Sequence, residues 1–130
     1  MRLALDTTVL IDALRGGDAA DRIRELHSTG GSPPWICAVN VEELYRGMRE
    51  VEADAIRSLV HGLRMAPLGR REGEMAGGWR RDFAKKGVTL SHADCLIAAA
   101  AVGVGATLAT GNPKHFPMDE IETVHWPTGR

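Results

Sequence analysis

The sequence lacks the features that would commit it to a special environment. It has only two cysteines, Cys37 and Cys95, far apart and in apolar surroundings, with no CxxC pair. That excludes a disulfide framework and predicts two buried thiols in a reducing compartment. Long hydrophobic runs are missing too. The longest uncharged stretch, residues 95–113, is broken by Gly103, Gly105 and Gly111, so it cannot be a spanning helix. The opening MRLALDTT has a three-residue apolar run, too short for a secretory leader. A cytoplasmic chain with no membrane contact is expected. There is no excess of basic charge: 16 Lys and Arg stand against 17 Asp and Glu, for a net −1. Nucleic-acid binding would therefore have to come from a local patch. Arg70, Arg71, Arg80, Arg81, Lys85 and Lys86 do fall in one short segment, which reads first as a solvated helix face. Zinc is disfavoured, because His27, His61, His92, His115 and His125 show no ligand spacing with either cysteine.

What is present is ordinary globular composition, 44% apolar and 25% charged, over 130 residues. One domain covering 1–130 is expected, burying roughly two thirds of its unfolded surface without staples. Strand signals alternate with helical ones. A strand Leu3–Leu5 precedes a helix at 9–14 and another at 19–27 with Ile23 and Leu26 inward. The Gly- and Pro-rich loop after Thr29 leads to a strand at 35–38. A helix opening at Asn40 follows, with Val41, Leu44, Tyr45 and Met48 on one face, and then an amphipathic helix at 51–63. A polar helix at 71–86 ends at Gly87. Ser91 opens a helix, 92–102, that is apolar nearly all round and therefore buried. Strands at 106–109 and 122–126 complete the pattern. This order predicts an α/β chain whose mostly parallel sheet is covered on both faces.

Four segments then aim at one rim. Asp6 follows the first strand at its carboxyl end, and Asn112 follows the strand at 106–109. Glu43 and Asp94 lie near the starts of helices whose first turns reach the same carboxyl edge, where open α/β sheets bind ligands. Asp94 is the only Asp, Glu, Lys or Arg between Gly87 and Pro113, among Ile97, Ala98 and Ala101. Asn40-x-x-Glu43 and Ser91-x-x-Asp94 also fit capping boxes, whereas capping does not account for Asp6. Two carboxylates about 5 Å apart repel by roughly 3 kcal/mol at an effective dielectric near 20. Three such acids need protonation or a cation, and an all-oxygen set suits Mg²⁺ or Mn²⁺.

These segments resemble those of the PIN-domain ribonucleases, and within them the VapC-type toxins of bacterial toxin–antitoxin pairs. The resemblance runs through LDTTVLIDAL around Asp6, VNVEELYRG around Glu43, SHADCLIAAAA around Asp94 and TLATGNPKHF around Thr110 and Asn112. It implies a PIN-like three-layer α/β/α sandwich. It also implies a Mg²⁺-dependent endoribonuclease, with Mn²⁺ able to substitute, that cleaves RNA through metal-activated water. Asp6, Glu43 and Asp94 would be metal ligands, Asn112 a further catalytic residue, and Thr8 and Thr110 supports. A homodimer is implied, with an antitoxin docking on the helices around 40–63. Asn112 stands where many PIN nucleases carry a fourth acid, which argues against a second tightly held metal.

Other residues read more plainly. His92 and His115 could give a proton or touch phosphate, yet a helix start and a loop explain them as well. Asp12 reads as a surface or capping-adjacent acid. Trp35 and Trp126 fall in strands and belong to the core, while Trp79, among arginines, is the candidate for stacking on a base. Two competing readings remain open: a non-catalytic PIN-like binding module and a Mg²⁺-dependent phosphatase-like hydrolase. The second lacks both an Asp two residues after Asp6 and a lysine ending a late strand.

Overall fold

The computed structural model describes residues 1–129. In chain order it comprises β1 (Leu3–Leu5), α1 (Thr7–Leu14), α2 (Asp18–Ser28), β2 (Trp35–Ile36), α3 (Ala38–Gly47), a 3-10 turn (Glu50–Glu52) and α4 (Ala53–His61). There follow β3 (Arg64–Met65), α5 (Arg70–Lys85), α6 (His92–Gly103), β4 (Thr107–Thr110), a second 3-10 turn (Pro113–His115) and β5 (Thr123–His125). The strands form one sheet in the order β3-β2-β1-β4-β5, every neighbouring pair parallel. The chain starts in the middle, builds outward through β2 and β3, then crosses β1 to lay down β4. The point where the order reverses lies between β1 and β4, and such switch points open a crevice at the carboxyl edge.

Strand alternation divides the core in two. Ala4 and Leu108 face a layer made by α5 and α6, where Trp79, Cys95, Ile97 and Ala98 pack. Leu5 and Ala109 face the other layer, with Val9, Leu10, Ile23, Leu44 and Ile56 from α1 to α4. This is the expected three-layer α/β/α sandwich, and both cysteines are buried. No helix among the described residues is long and apolar enough to cross a membrane.

Several boundaries move for local reasons. α3 starts at Ala38, not Asn40: Cys37 caps it, and Asn40 sits in its first turn, its Oδ1 accepting the Cys37 N–H at 2.8 Å. The expected strand at 35–38 is shortened accordingly, and Glu43 lies in the second turn rather than the first. The expected helix at 51–63 splits into the 3-10 turn and α4, leaving Val51 exposed. β3 was not foreseen, since two exposed residues carry no apolar pattern. Trp79 is 5% exposed in the core beneath α5, so it is unavailable to stack on a base. Asp12 is buried rather than on the surface. Its Oδ2 accepts the Ala19 N–H at 3.1 Å, so α1 supplies a cap for the first turn of α2, and its Oδ1 accepts the Gly129 N–H at 3.3 Å.

Candidate active site

Asp6 is the fixed point of the site. It follows β1 and caps α1, its Oδ1 accepting the Thr7 N–H at 2.8 Å. The expectation that capping does not account for Asp6 is therefore corrected, because its carboxylate does cap α1. Its Oδ2 accepts the hydroxyls of Thr8 at 3.0 Å and Thr110 at 2.7 Å. With Asp6 only 4% exposed, these donors supply what lost water would have given a buried carboxylate. A carboxylate so enclosed is poorly presented as a phosphoryl acceptor, which weighs against the phosphatase-like reading. The same hydroxyls tie the rim together: Gly111 N–H donates to Thr8 Oγ1 at 3.1 Å and Asn112 N–H to Thr110 Oγ1 at 3.0 Å.

Glu43 joins through Thr7, whose hydroxyl donates to Glu43 Oε1 at 2.7 Å. That hydroxyl also accepts from Asn40 Nδ2 at 3.0 Å. Asn40, 1% exposed, bonds the Leu5 carbonyl as well, at 3.3 Å, so one amide links β1, α1 and the start of α3. Thr7 and Asn40 are the positioning residues that the sequence reading missed. The available signal was a polar residue close behind a buried strand that makes a better first-turn acceptor than a cap.

Asp94 lies in the first turn of α6, its N–H donating to the Ser91 hydroxyl at 3.2 Å, as the capping pattern predicted. Its side chain is 21% exposed. Burial raises its pKa to about 6, and the negative charge of Asp6 adds to that; His115 pulls it down, and Glu43 pushes it up again. His115 Nδ1 stands 3.6 Å from Asp94 Oδ2, beyond hydrogen-bond length. Asp6 and Glu43 are thus close enough for their charge to be felt at Asp94. Asn112 reaches the rim by its backbone, while its side chain is exposed and has no hydrogen bond among the described residues.

Among the described residues no three acidic, histidine or cysteine side chains are gathered into a ready-made cage. The raised pKa of Asp94 comes first from its burial, with the charge of Asp6 and then of Glu43 adding to it. The donor set is carboxylates, hydroxyls and an amide, which fits a hard divalent cation such as Mg²⁺ and has nothing to offer a soft one.

The PIN domain family matches residues 3–120. Ribonuclease VapC10 of Mycobacterium tuberculosis is 37% identical over 123 residues, which cover 91% of this chain and 88% of that protein. Ribonuclease VapC19 of the same organism is 32% identical over 117 residues, covering 88% and 91%. In fold, the chain is similar to a structure of VapBC2 from Rickettsia felis bound to a DNA fragment from their promoter. The TM-score is 0.80 at 21% identity, covering 97% of this chain and 99% of the other. VapBC-1 from nontypeable Haemophilus influenzae gives 0.79 at 22% identity, covering 97% and 98%.

Proposed function

The chain belongs to the PIN-domain family, and from that premise we propose that it is an endoribonuclease toxin of a toxin–antitoxin pair, working on RNA with Mg²⁺ held by Asp6, Glu43 and Asp94. The observation that carries this reading is the coupling of Asp94 to Asp6 and Glu43 at the carboxyl edge beside the β1–β4 switch point. Held by Asp6, Glu43 and Asp94, a divalent cation, Mg²⁺ or Mn²⁺ in its place, would lower the pKa of water and offset charge on the phosphodiester.

The chain's own residues do the positioning. Thr8 and Thr110 fix the Asp6 carboxylate, so it arrives at the metal already oriented. Asn40 and Thr7 do the same for Glu43. Asp94 is the adjustable member, protonated when the site is bare and acidic, ionised when positive charge arrives. Asn112, neutral and exposed, offers an amide to substrate without adding a fourth negative charge, which suits one tightly held metal. All of this lies in one nuclease domain acting in the cytoplasm, as a homodimer.

An antitoxin finds a surface on the other helical layer. Ala13, Leu14, Ile23 and Leu59 line a hollow of about 270 Å³ between α1, α2 and α4. A smaller one runs from Ile56 and Met48 to Glu43 itself. The docking face expected around 40–63 thus extends onto α1 and α2. The test is cleavage of a labelled single-stranded RNA by the antitoxin-free chain in Mg²⁺, Mn²⁺ or EDTA. Cutting that needs metal and disappears in Asp6→Asn is expected; cutting that persists in EDTA or in that variant would refute the reading.

A further inference from the structure

Beside Asp94, a hollow of about 250 Å³ lies between the α5–α6 turn and the segment after β4. Val88, Leu90 and Pro117 form apolar walls, and Thr89, Ser91, Asp94, Lys114 and His115 give polar ones. It is at the small end of ligand clefts, which run roughly 300–1,000 Å³, and suits one nucleotide unit rather than a duplex. Val88 is 42% exposed, an apolar side chain that the fold leaves in solvent. Lys114 is exposed and has no ion pair among the described residues. The antiparallel packing of α5 on α6 also brings the basic end of α5 to this edge: Arg80 is near enough to Cys95 for its charge to act on that thiol, and Lys85 and Lys86 lead straight into the turn.

We infer that this hollow is a nucleotide subsite: it seats the nucleotide flanking the scissile phosphodiester of single-stranded RNA, with Lys114 on the adjoining phosphate and Val88 and Pro117 against the sugar and base. Three features favour RNA over a peptide here. The hollow is continuous with Asp94, so whatever fills it is next to the reacting phosphate. Its one cationic side chain, Lys114, has no ion pair among the described residues, so it is available to a phosphate while Asp94 faces the metal. Its apolar wall is short, only Val88, Leu90 and Pro117, rather than the longer groove that a helix would need. The exposed His115, 59% accessible, lies on the same rim, and its Nε2 is open to a phosphate oxygen.

The inference rests on the nuclease reading, and binding without cutting separates the two. A fluorescein-labelled single-stranded RNA hexamer is titrated by anisotropy into Asp6→Asn, which keeps a helix-capping side chain. Into that background go Lys114→Ala, Lys114→Arg, Val88→Glu and, on the far helical layer, Arg57→Ala. Lys114→Ala is expected to weaken binding about 3- to 10-fold and to lower the slope of log Kd against log salt by about one. Lys114→Arg restores most of both, Val88→Glu weakens binding by more than 10-fold, and Arg57→Ala changes nothing. RNA binding that is indifferent to Lys114 and Val88 overturns the subsite and leaves the nuclease reading standing. RNA bound through Lys114 and Val88, with no metal-dependent cutting by the wild type, supports the subsite and sinks the nuclease. No RNA binding at all overturns both.

Discussion

At neutral pH Asp94 is ionised while partly buried beside Asp6 and Glu43, so the residue proposed to serve the metal also strains the fold. The folded pKa of about 6 lies above an unfolded value near 3.9, so folding favours the protonated acid. Its stabilising contribution is full below about pH 4, fades as pH rises through 6, and is gone at pH 7. Asp94→Asn keeps the protonated-like state at every pH. It is expected to raise metal-free stability at pH 7 by up to about 3 kcal/mol, with the gain vanishing near pH 4. Urea unfolding at the two pH values checks this, and equal stability at pH 7 would contradict the raised pKa of Asp94. Thr110 acts one bond further out. Thr110→Val removes a 2.7 Å donor from Asp6 and is expected to cost about 10- to 100-fold in Mn²⁺ affinity with the fold retained. Affinity within twofold of wild type would make that hydroxyl purely structural.

Between elements, the junction of α1 and α2 shows what a sequence conceals. Asp12 sits one turn beyond Thr8 and looks like a surface acid, yet its carboxylate reaches over the turn to cap α2. Gly17 belongs to the same device: a Cβ there would meet Asp12 Oδ1 at 2.3 Å, so no larger residue fits while Asp12 holds its place. Asp12→Ala is expected to cost about 1.5–3 kcal/mol, since it strips a charged acceptor from two backbone N–H groups. In an Asp12→Ala background, Gly17→Ala should lose most of its own penalty, a coupling that a double-mutant cycle in thermal unfolding measures. Strict additivity would argue against the contact. Such links join residues through space and have no periodicity to betray them. The same applies to Asn40, read as a helix cap from its spacing but placed by the structure under Thr7.

Across the whole molecule, what was legible followed from pattern. Strands alternating with helices foretold the parallel sheet, and the apolar helix around Asp94 marked that acid as a candidate. The strand at 64–65, the buried Trp79 and the bonds of Thr7 and Asn40 depend on tertiary packing and had no comparable signal, whereas Thr8 and Thr110 were expected as supports and do bond Asp6. The larger proposed antitoxin hollow, between α1, α2 and α4, shares no lining residue with the hollow beside Asp94, whereas the smaller one reaches Glu43. Leu59→Asp is therefore expected to abolish antitoxin capture in a pull-down with the cognate protein while leaving Mn²⁺ binding intact. Loss of both would mean that the surfaces are not independent.

The central claim is that Asp6, Glu43 and Asp94 form one cation site, and calorimetric titration of Mn²⁺ into the antitoxin-free chain and into Asp94→Asn tests it most directly. The account predicts saturable binding near one equivalent in the wild type and its loss in the variant, which stays folded and, without metal, is the more stable of the two. Equal binding by both proteins, or none by a folded wild type, would contradict it.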